Sequence, residues 1–227
     1  MAAATIASMG ERRGFADDTL AGFVDRLSSA EPIPGGGSAA AVAASLAAAL
    51  VAMVASLSRG RAVYEPYLAT IEHSAAEGRR LAERCLTLAD DDAAAYGTFA
   101  AAMKMPRDTD EQKAVRTAAL GEAATVAAQV PLAVVLCCRE IVVAAEELAG
   151  RSNRNAASDL SVSANLAVAA AHSAAENVRV NLPSMPDRAL ADDLAFRTDE
   201  AVTDVEHIAR AVRSVVAAGT LREPLQA

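Results

Sequence analysis

Residues 38–58 have the sequence SAAAVAASLAAALVAMVASLS, a run of 21 residues without a charged side chain. About half of them are alanine, which loses least entropy in a helix, so the run predicts one long helix that ends at Arg59 and Gly60. This length could also span a bilayer. Alanine gives little insertion energy and we find no second span of comparable length, so we expect a buried helix in a soluble bundle.

The overall composition extends this expectation to the whole chain. Hydrophobic residues make up 53% of the 227 residues, aromatic residues only 3%, and alanine alone about a quarter. We predict an all-α bundle of about six helices with long central helices. No stretch is long and polar enough to be a linker, so we expect a single domain over residues 1–227 with a loose tail at 1–14. Small side chains fill little volume, which favours a homo-oligomer.

Charge and cysteine content exclude several classes of function. The formal net charge is −8, which argues against a nucleic-acid partner because neutralising phosphates needs a basic face. The three cysteines have no CxxC or Cys/His spacing, so we expect no disulfide framework, no metal site and a cytoplasmic location. No P-loop, dinucleotide fingerprint or GxSxG motif is present.

Capping and breaking residues divide the chain into helices. Ser38 is a favourable N-cap for the alanine-rich helix. The first helix has one apolar face, formed by Leu20, Phe23, Val24 and Leu27. This first helix is predicted to run from about Asp17 or Asp18 to Ser29. The helices after the alanine-rich one are predicted at about Pro66 to Met105, Asp108 to Gly150, Asn155 or Ser158 to Leu182, and Arg188 to Ala218.

The loop before the alanine-rich helix contains three consecutive glycines, Gly35, Gly36 and Gly37, between Pro34 and Ser38. One glycine would be enough for a turn, so three indicate unusual backbone torsions or a close approach by another group. The free N–H groups at the helix start could bind an anionic ligand there. A tight crossing with another helix explains the glycines equally well, and both interpretations stay open.

Asp92 interrupts an apolar seam on the third helix. The seam follows a spacing of three and four residues through Leu81, Cys85, Leu88, Asp92, Ala95, Phe99 and Met103, with Tyr96 beside it. A carboxylate on a buried seam costs several kcal/mol unless it is paired, hydrogen-bonded or retained for function. Desolvation would raise its pKa toward the range of general acid–base catalysis. A structural role as the partner of an arginine explains the residue as well, and Asp90 and Asp91 are interpreted as solvated charges.

Two further polar groups lie on the fifth predicted helix. Asn155 to Asp159, with Ser158 between them, is explained by ordinary capping at the helix start. Asn177 and Asn181 lie four residues apart on one helical face, where their amides could orient a polar ligand or join two helices.

Taken together, these motifs resemble one family. Pro34 to Ser38 with its alanine-rich helix, the Asp92 segment ending in Lys104-Met105-Pro106-Arg107, and Asn155 to Asp159 occur in the order of the cyclodeaminase/cyclohydrolase family of one-carbon folate metabolism. The resemblance extends from about Phe15 to about Ala217. Met105-Pro106-Arg107 and Leu160-Ser161 depart from the family's usual residues.

The resemblance implies an all-helical homodimer that binds a tetrahydrofolate in a cleft and needs no other cofactor. It places Asp92 on the family's catalytic acid–base aspartate, and the glycine loop with Ser38 on a ligand-site motif. Ser158-Asp159 falls on a second such motif. Lys104, Arg107, Arg59 or Arg61 could attract the anionic glutamate tail of the folate, although each is equally plausible as a solvated charge.

The activity implied is that of a methenyltetrahydrofolate cyclohydrolase, with formiminotetrahydrofolate cyclodeaminase as the alternative. We favour the cyclohydrolase because a chain of 227 residues has no room for the formiminotransferase domain that normally supplies a cyclodeaminase. The chain could also be a relative recruited to a different amidine or imine substrate, or a helical dimer that only binds a ligand.

Overall fold

A computed structural model describes residues 14–225, which form an all-α bundle. The described residues contain six α-helices and no strand. The helices are α1 (Leu20–Leu27), α2 (Gly36–Ser58), α3 (Leu68–Met103), α4 (Asp110–Leu148), α5 (Ala157–Asn181) and α6 (Arg188–Ala218). Short 3₁₀ helices at Phe15–Asp17, Ala62–Tyr67, Arg154–Ala156 and Leu182–Ser184 connect or precede them. The predicted fold class is confirmed, while most of the predicted tail lies outside the described residues.

Most predicted helix boundaries agree with the structure to within a few residues, and the predicted N-cap at Ser38 is wrong. Thr19 caps α1 by accepting a hydrogen bond from the Gly22 N–H, so the helix begins after the aspartates expected to start it. α2 begins at Gly36, inside the glycine loop. Ser38 is therefore in the first turn of α2 instead of at its N-cap, and its side chain contacts α3.

α2 is the central helix of the bundle, and its small residues allow neighbouring helices to pack closely. It runs antiparallel to α3, and two serines seven residues apart link the pair in register. Ser38 Oγ donates to the Ala89 carbonyl and Ser45 Oγ to the Ala82 carbonyl, at 3.1 and 3.0 Å. On the α5 side, Ser163 Oγ donates to the Ala47 carbonyl at 2.8 Å. These hydrogen bonds set the positions of α3 and α5 along α2.

Gly78 lies at a close approach of α3 to α2. A Cβ atom at this position would lie 2.7 Å from the Ala52 nitrogen and 2.8 Å from the Ala48 oxygen. Both are backbone atoms of a buried helix, so they cannot move away as a flexible side chain could. Gly78 therefore allows the close α2–α3 crossing.

Two helices, α2 and α4, are long and apolar enough to cross a membrane by length and composition. The second was not anticipated, because Glu122 interrupts its apolar run in the sequence. Core helices of soluble bundles also meet this criterion. Both helices pack inside the bundle, with 56% and 50% of their most apolar windows buried.

Some apolar side chains expected in the core face solvent. Only Phe23 of the predicted apolar face of α1 is buried, against the Phe15 ring, whereas Leu20 is 74% exposed. Met103, at the end of the predicted α3 seam, is also exposed. On α2, the outer face carries a line of apolar side chains that are exposed or partly exposed: Val42, Leu46, Leu50, Met53 and Leu57. We call these five residues the α2 stripe.

Gly78→Ala is expected to destabilise the fold by about 1–3 kcal/mol, because the added methyl group meets the backbone of α2. Gly97→Ala is the matched control, since Gly97 lies in the same helix and a Cβ there would meet no atom within 4 Å among the described residues. That control should be neutral or stabilising by about 0.5–1 kcal/mol from helix propensity. Urea denaturation of the three proteins measures both effects, and equal midpoints for the two variants would contradict the close crossing.

Candidate functional site

A cavity of about 340 Å³ lies where the start of α2, the second half of α3 and the end of α5 meet. These segments come together because α3 and α5 both run antiparallel to α2. Fourteen residues line the cavity: Pro32, Ile33, Gly35, Gly36, Gly37, Asp92, Ala93, Ala95, Tyr96, Phe99, Ala127, Asn177, Val180 and Asn181. Asp92 is the only charged residue among these lining residues, so the cavity presents one carboxylate in otherwise apolar and amide surroundings.

The Asp92 carboxylate lies directly against the first turn of α2. A Cβ atom on Gly37 would collide with Asp92 Oδ1 and would come within 2.7 Å of Asp92 Oδ2. Only glycine leaves room for the carboxylate at this position. Ser38 Oγ donates a hydrogen bond to Asp92 Oδ2 at 2.9 Å. The predicted inward orientation of Asp92 is therefore confirmed, and no arginine is its partner within the described residues.

The environment of Asp92 moves its pKa in a direction that suits proton transfer. Burial raises the pKa of the Asp92 carboxyl above its usual value of 3.8, while the Ser38 hydroxyl and backbone N–H hold it down by hydrogen bonding. The N–H of the first turn of α2 thus interacts with an anion, as expected for a helix start. That anion is the Asp92 carboxylate of α3. The glycine loop therefore both binds an anion and allows a tight helix crossing, which are the two interpretations left open by the sequence.

Asn177 and Asn181 lie on the opposite wall, in the last turns of α5. Asn181 Nδ2 donates to the Ala127 carbonyl at 3.0 Å and to the Asn177 carbonyl at 2.7 Å, so this side chain joins α5 to α4. Asn177 Nδ2 donates to the Ser173 carbonyl at 2.9 Å. The two side chains therefore bind protein through their Nδ2 groups, and their Oδ1 atoms accept no hydrogen bond from the described residues.

Two predicted site residues stand behind the cavity wall. Pro34 is buried and does not line the cavity. Ser38 has no exposed surface, so it contacts the cavity only through Asp92. The glycines of the same motif do line the cavity. Ser38, which was predicted to bind the ligand, instead contacts the Asp92 carboxylate.

The predicted cationic residues lie away from the cavity. Lys104 follows Asp92 by 12 residues, which is roughly 18 Å along α3, and Arg107 lies in the exposed loop after it. Arg59 and Arg61 are at the opposite end of α2, where Arg59 pairs with Glu72 at 2.6 Å and Arg61 donates to Asn153 Oδ1 at 3.3 Å. Within one chain, none of the four lines the cavity.

The segment containing Asn155, Ser158 and Asp159 is also distant. It lies at the start of α5, so Asp159 is roughly 27 Å along the helix from Asn177. Asn153, which precedes the segment, provides the cap by accepting the Asn155 N–H and also holds the end of α2 by donating to the Leu57 carbonyl. The structure therefore brings together Asp92, the three glycines and the two asparagines, but not this segment.

Aromatic and apolar lining residues were missed in the sequence. Tyr96 and Phe99 follow Asp92 by four and seven residues, and helical periodicity placed them with Asp92 on or beside the predicted seam, but neither was predicted as a site residue. Pro32 and Ile33 come from the loop before the glycines, and Val180 separates the two asparagines. No local sequence pattern indicates that Ala127 of α4 lines the cavity, because its position depends on how α4 packs against α5. Among the described residues, no group of three metal-ligating side chains lies together.

Sequence comparison places the chain among folate enzymes. It matches the formiminotransferase-cyclodeaminase family over residues 19–200. It is 38% identical over 177 residues to a methenyltetrahydrofolate cyclohydrolase of Methylorubrum extorquens, a match that covers 78% of this chain and 85% of that protein. It is 33% identical over 178 residues to the formimidoyltransferase-cyclodeaminase of Mus musculus, of which the matched region covers 33%.

Structural comparison agrees with the sequence matches. The fold is similar to the crystal structure of a formiminotetrahydrofolate cyclodeaminase from Thermotoga maritima, with a TM-score of 0.81 and 25% sequence identity. The match covers 89% of this chain and 98% of that chain. The similarity therefore extends over nearly the whole bundle, including the helices that form the cavity.

Gly37→Ala is expected to displace the Asp92 carboxylate and destabilise the protein by about 1–3 kcal/mol, because its methyl group would occupy the position of the carboxyl group. Gly36→Ala is the control, since the nearest atom to a Cβ there is Asn177 Nδ2 at 3.8 Å, an ordinary van der Waals contact. The control should stay within about 0.5 kcal/mol of the parent. Urea denaturation measures both, and a Gly37→Ala variant as stable as the Gly36→Ala variant would refute the close contact.

Proposed function

Since the chain belongs to the formiminotransferase-cyclodeaminase family, we propose that it is a methenyltetrahydrofolate cyclohydrolase. The reaction converts the 5,10-methenyltetrahydrofolate cation and water into 10-formyltetrahydrofolate and a proton. Similarity to the Methylorubrum cyclohydrolase over 85% of that protein supports this activity. The chain spans about a third of the length of the mouse formimidoyltransferase-cyclodeaminase that it matches. The two activities of that longer protein therefore support the proposal less directly than the cyclohydrolase does.

The observation that carries the proposal is the single carboxylate in the cavity. The bridging carbon of methenyltetrahydrofolate joins N5 and N10 in a cationic amidine. A negative charge in surroundings with little water attracts this cation more strongly than it would in bulk water. The cavity volume of about 340 Å³ lies in the range of small-molecule sites. Tyr96 and Phe99 add apolar surface against which a planar ring system could pack.

Asp92 would act as both base and acid. It accepts a proton from the water that adds to the bridging carbon, and it then returns that proton to N5 as the carbon–N5 bond breaks. The hydroxyl left on the bridging carbon loses its own proton to solvent, and the resulting formyl group remains on N10. The raised pKa of Asp92 makes this exchange easier than it would be for an ordinary carboxyl group. Asn177 and Asn181 line the cavity, and their Oδ1 atoms would accept hydrogen bonds from N–H groups of the folate.

The cyclodeaminase is the second candidate, favoured by the similarity to the Thermotoga enzyme. In that reaction N10 attacks the formimino carbon and ammonia leaves, so the same carboxylate would move a proton between two nitrogens. The substrate is again an amidine that carries positive charge when protonated. Supplying formiminotetrahydrofolate and measuring ammonia release distinguishes the two, since the cyclohydrolase reaction produces none.

We also propose that the tetrahydrofolate substrate is sufficient without a further cofactor and that the reaction takes place in the cytoplasm. Hydrolysis of an amidine needs water, which the solvent supplies, and an acid–base group, which Asp92 would provide. The three cysteines, Cys85, Cys137 and Cys138, are free thiols buried in the core, which suits a reducing compartment.

We propose that the protein is a homodimer in which the α2 stripes of two copies pack together in antiparallel orientation. Leu46, Met53 and Leu57 are 53%, 38% and 48% exposed, and α2 itself carries no charge. The two ends of α2 differ in charge: Glu31 precedes the helix, whereas Arg59 and Arg61 follow it. An antiparallel pair brings the acidic end of one copy toward the basic end of the other.

The size of this contact requires flanking helices. A helix of this length is roughly 34 Å long and about 10 Å wide, so one stripe covers roughly 340 Å². A stable interface buries about 800 Å² on each partner. α5 runs beside α2 and exposes Val162, so we propose that it contributes further apolar surface to the contact. The pairing also brings the basic end of each α2 toward the partner's cavity, where Arg59 and Arg61 would be near the glutamate tail.

Leu46→Glu is expected to dissociate the dimer, because antiparallel pairing places two glutamates in an apolar contact. Val115→Glu is the control, since Val115 is 58% exposed on α4 and outside the stripe. Analytical ultracentrifugation should give a dimer for the parent and the control and a monomer for Leu46→Glu. A monomeric parent, or a Leu46→Glu variant that remains a dimer, would contradict the proposed interface.

Asp92→Asn is expected to lower the rate of methenyltetrahydrofolate hydrolysis by about 100-fold or more, because the amide cannot accept a proton. Asn has the shape of Asp and can still accept the Ser38 hydrogen bond, so the fold should be retained. Asp91→Asn is the control, because Asp91 faces Arg84 at 3.8 Å and does not line the cavity. The loss of substrate absorbance, corrected for spontaneous hydrolysis, measures all three proteins. Hydrolysis by Asp92→Asn at the parent rate would refute the role of Asp92.

The same role predicts the direction of the pH dependence. A base must be ionised in the free enzyme, so kcat/KM should be highest above the pKa of Asp92 and should fall as the pH drops through it. Because burial raises that pKa, the fall should begin at a higher pH than for an ordinary carboxyl group with a pKa of 3.8.

A further inference from the structure

The Ser38 hydroxyl lies within hydrogen-bonding distance of two acceptors. Ser38 Oγ is 2.9 Å from Asp92 Oδ2 and 3.1 Å from the Ala89 carbonyl oxygen. A serine hydroxyl has one hydrogen, so it can donate fully to only one of them at a time. Ser38 is completely buried, and no solvent molecule or ligand in the cavity can contact it directly.

The two acceptors correspond to the two protonation states of Asp92. When the carboxylate is ionised, the Ser38 hydroxyl donates to Asp92 Oδ2. When Asp92 is protonated on its other oxygen, Oδ2 is the weaker acceptor of a neutral acid, and the Ser38 hydrogen turns to the Ala89 carbonyl. The buried hydroxyl therefore has an acceptor in both states. A buried hydroxyl without an acceptor would cost free energy and would disfavour one of the two protonation states of Asp92.

We propose that Ser38 is a positioning residue that lets Asp92 alternate between carboxylate and carboxylic acid during the reaction by turning its hydroxyl between Asp92 and the Ala89 carbonyl. This inference rests on the proposed cyclohydrolase function. The proton that Asp92 takes from water is the one it returns to N5. The Ser38 hydrogen turns away and back, so Ser38 itself neither gains nor loses a proton.

No other charged group controls Asp92 at close range among the described residues. On its own helix, Asp90 Oδ1 accepts the Phe15 N–H at 2.8 Å, and Asp91 faces Arg84. Tyr96 is the other titratable group that lines the cavity. α2, α4, α5 and the loop before α2 contribute only glycine, apolar and amide residues to its walls. Burial raises the pKa of Asp92, and the Ser38 hydroxyl and N–H are the groups that lower it.

Ser38→Ala tests the proposal directly. Removing the hydroxyl deletes the bond that favours the ionised form, so the pKa of Asp92 should rise by about one unit. Ser45→Ala is the matched control, because Ser45 makes the same kind of bond from α2 to α3, to the Ala82 carbonyl at 3.0 Å, seven residues along the helix. It should destabilise the α2–α3 pair to a similar extent and leave the pKa of Asp92 unchanged.

The pKa of Asp92 is measured by a carbon-13 NMR titration of its side-chain carboxyl group in the parent, Ser38→Ala and Ser45→Ala proteins, without any folate. A rise in Ser38→Ala alone supports the proposal. An unchanged pKa, or an equal rise in both variants, overturns it. Because this readout needs no turnover, it stays valid even if the protein does not hydrolyse methenyltetrahydrofolate.

Kinetics with methenyltetrahydrofolate provide the second measurement. Ser38→Ala should shift the acidic limb of the pH profile upward by about one unit and lower kcat with little change in KM, because Ser38 does not line the cavity. Ser45→Ala should keep the parent profile. A raised KM with unchanged kcat would instead make Ser38 a substrate-binding residue and would overturn the positioning role.

Discussion

The contact between the Asp92 carboxylate and the first turn of α2 is the constraint on which the rest of the site depends. It requires glycine at position 37, because any side chain there would occupy the place of the carboxyl group. It also requires α2 and α3 to pack in one register, which the hydrogen bonds of Ser38 and Ser45 to α3 carbonyls maintain. The alanine-rich surface of α2 allows this close packing. The bundle and the site are therefore built on the same helix pair.

Burying Asp92 opposes folding, and the protein uses local hydrogen bonds to limit that cost. The Ser38 hydroxyl and N–H stabilise the carboxylate without neutralising it, so the pKa stays raised and the group can still exchange a proton. An arginine partner would have stabilised the charge more but would have lowered the pKa. The three consecutive aspartates illustrate the difference: Asp90 binds the Phe15 N–H, Asp91 faces Arg84, and only Asp92 faces the cavity. Successive helical residues point about 100° apart, which separates these roles.

Helical periodicity predicted the position of Asp92 but was less reliable for surfaces that do not pack within one chain. The seam around Asp92 is buried at Leu81, Cys85 and Leu88 as expected. The apolar face of α1 and the outer face of α2 are exposed, because periodicity shows that a face is apolar and not what covers it. The family resemblance grouped the glycines with Asp92, and the structure brings these residues together at one cavity. It also grouped Asn155, Ser158 and Asp159 with them, and within one chain the fold separates this segment from the cavity along the length of α5.

The sequence by itself determined the helical class, the approximate helix boundaries and the identity of the acidic residue, because composition, capping and a carboxylate on an apolar seam are local signals. Only the tertiary structure decided what the glycine loop does. Its backbone accommodates Asp92, a residue more than 50 positions away, and this contact exists only when α2 and α3 pack antiparallel in one register. The roles of Ser38, Tyr96 and Ala127 were decided in the same way, since each depends on which helix lies opposite. Local sequence carries the propensity of each segment, whereas the pairing of distant segments creates the cavity and the environment of its carboxylate.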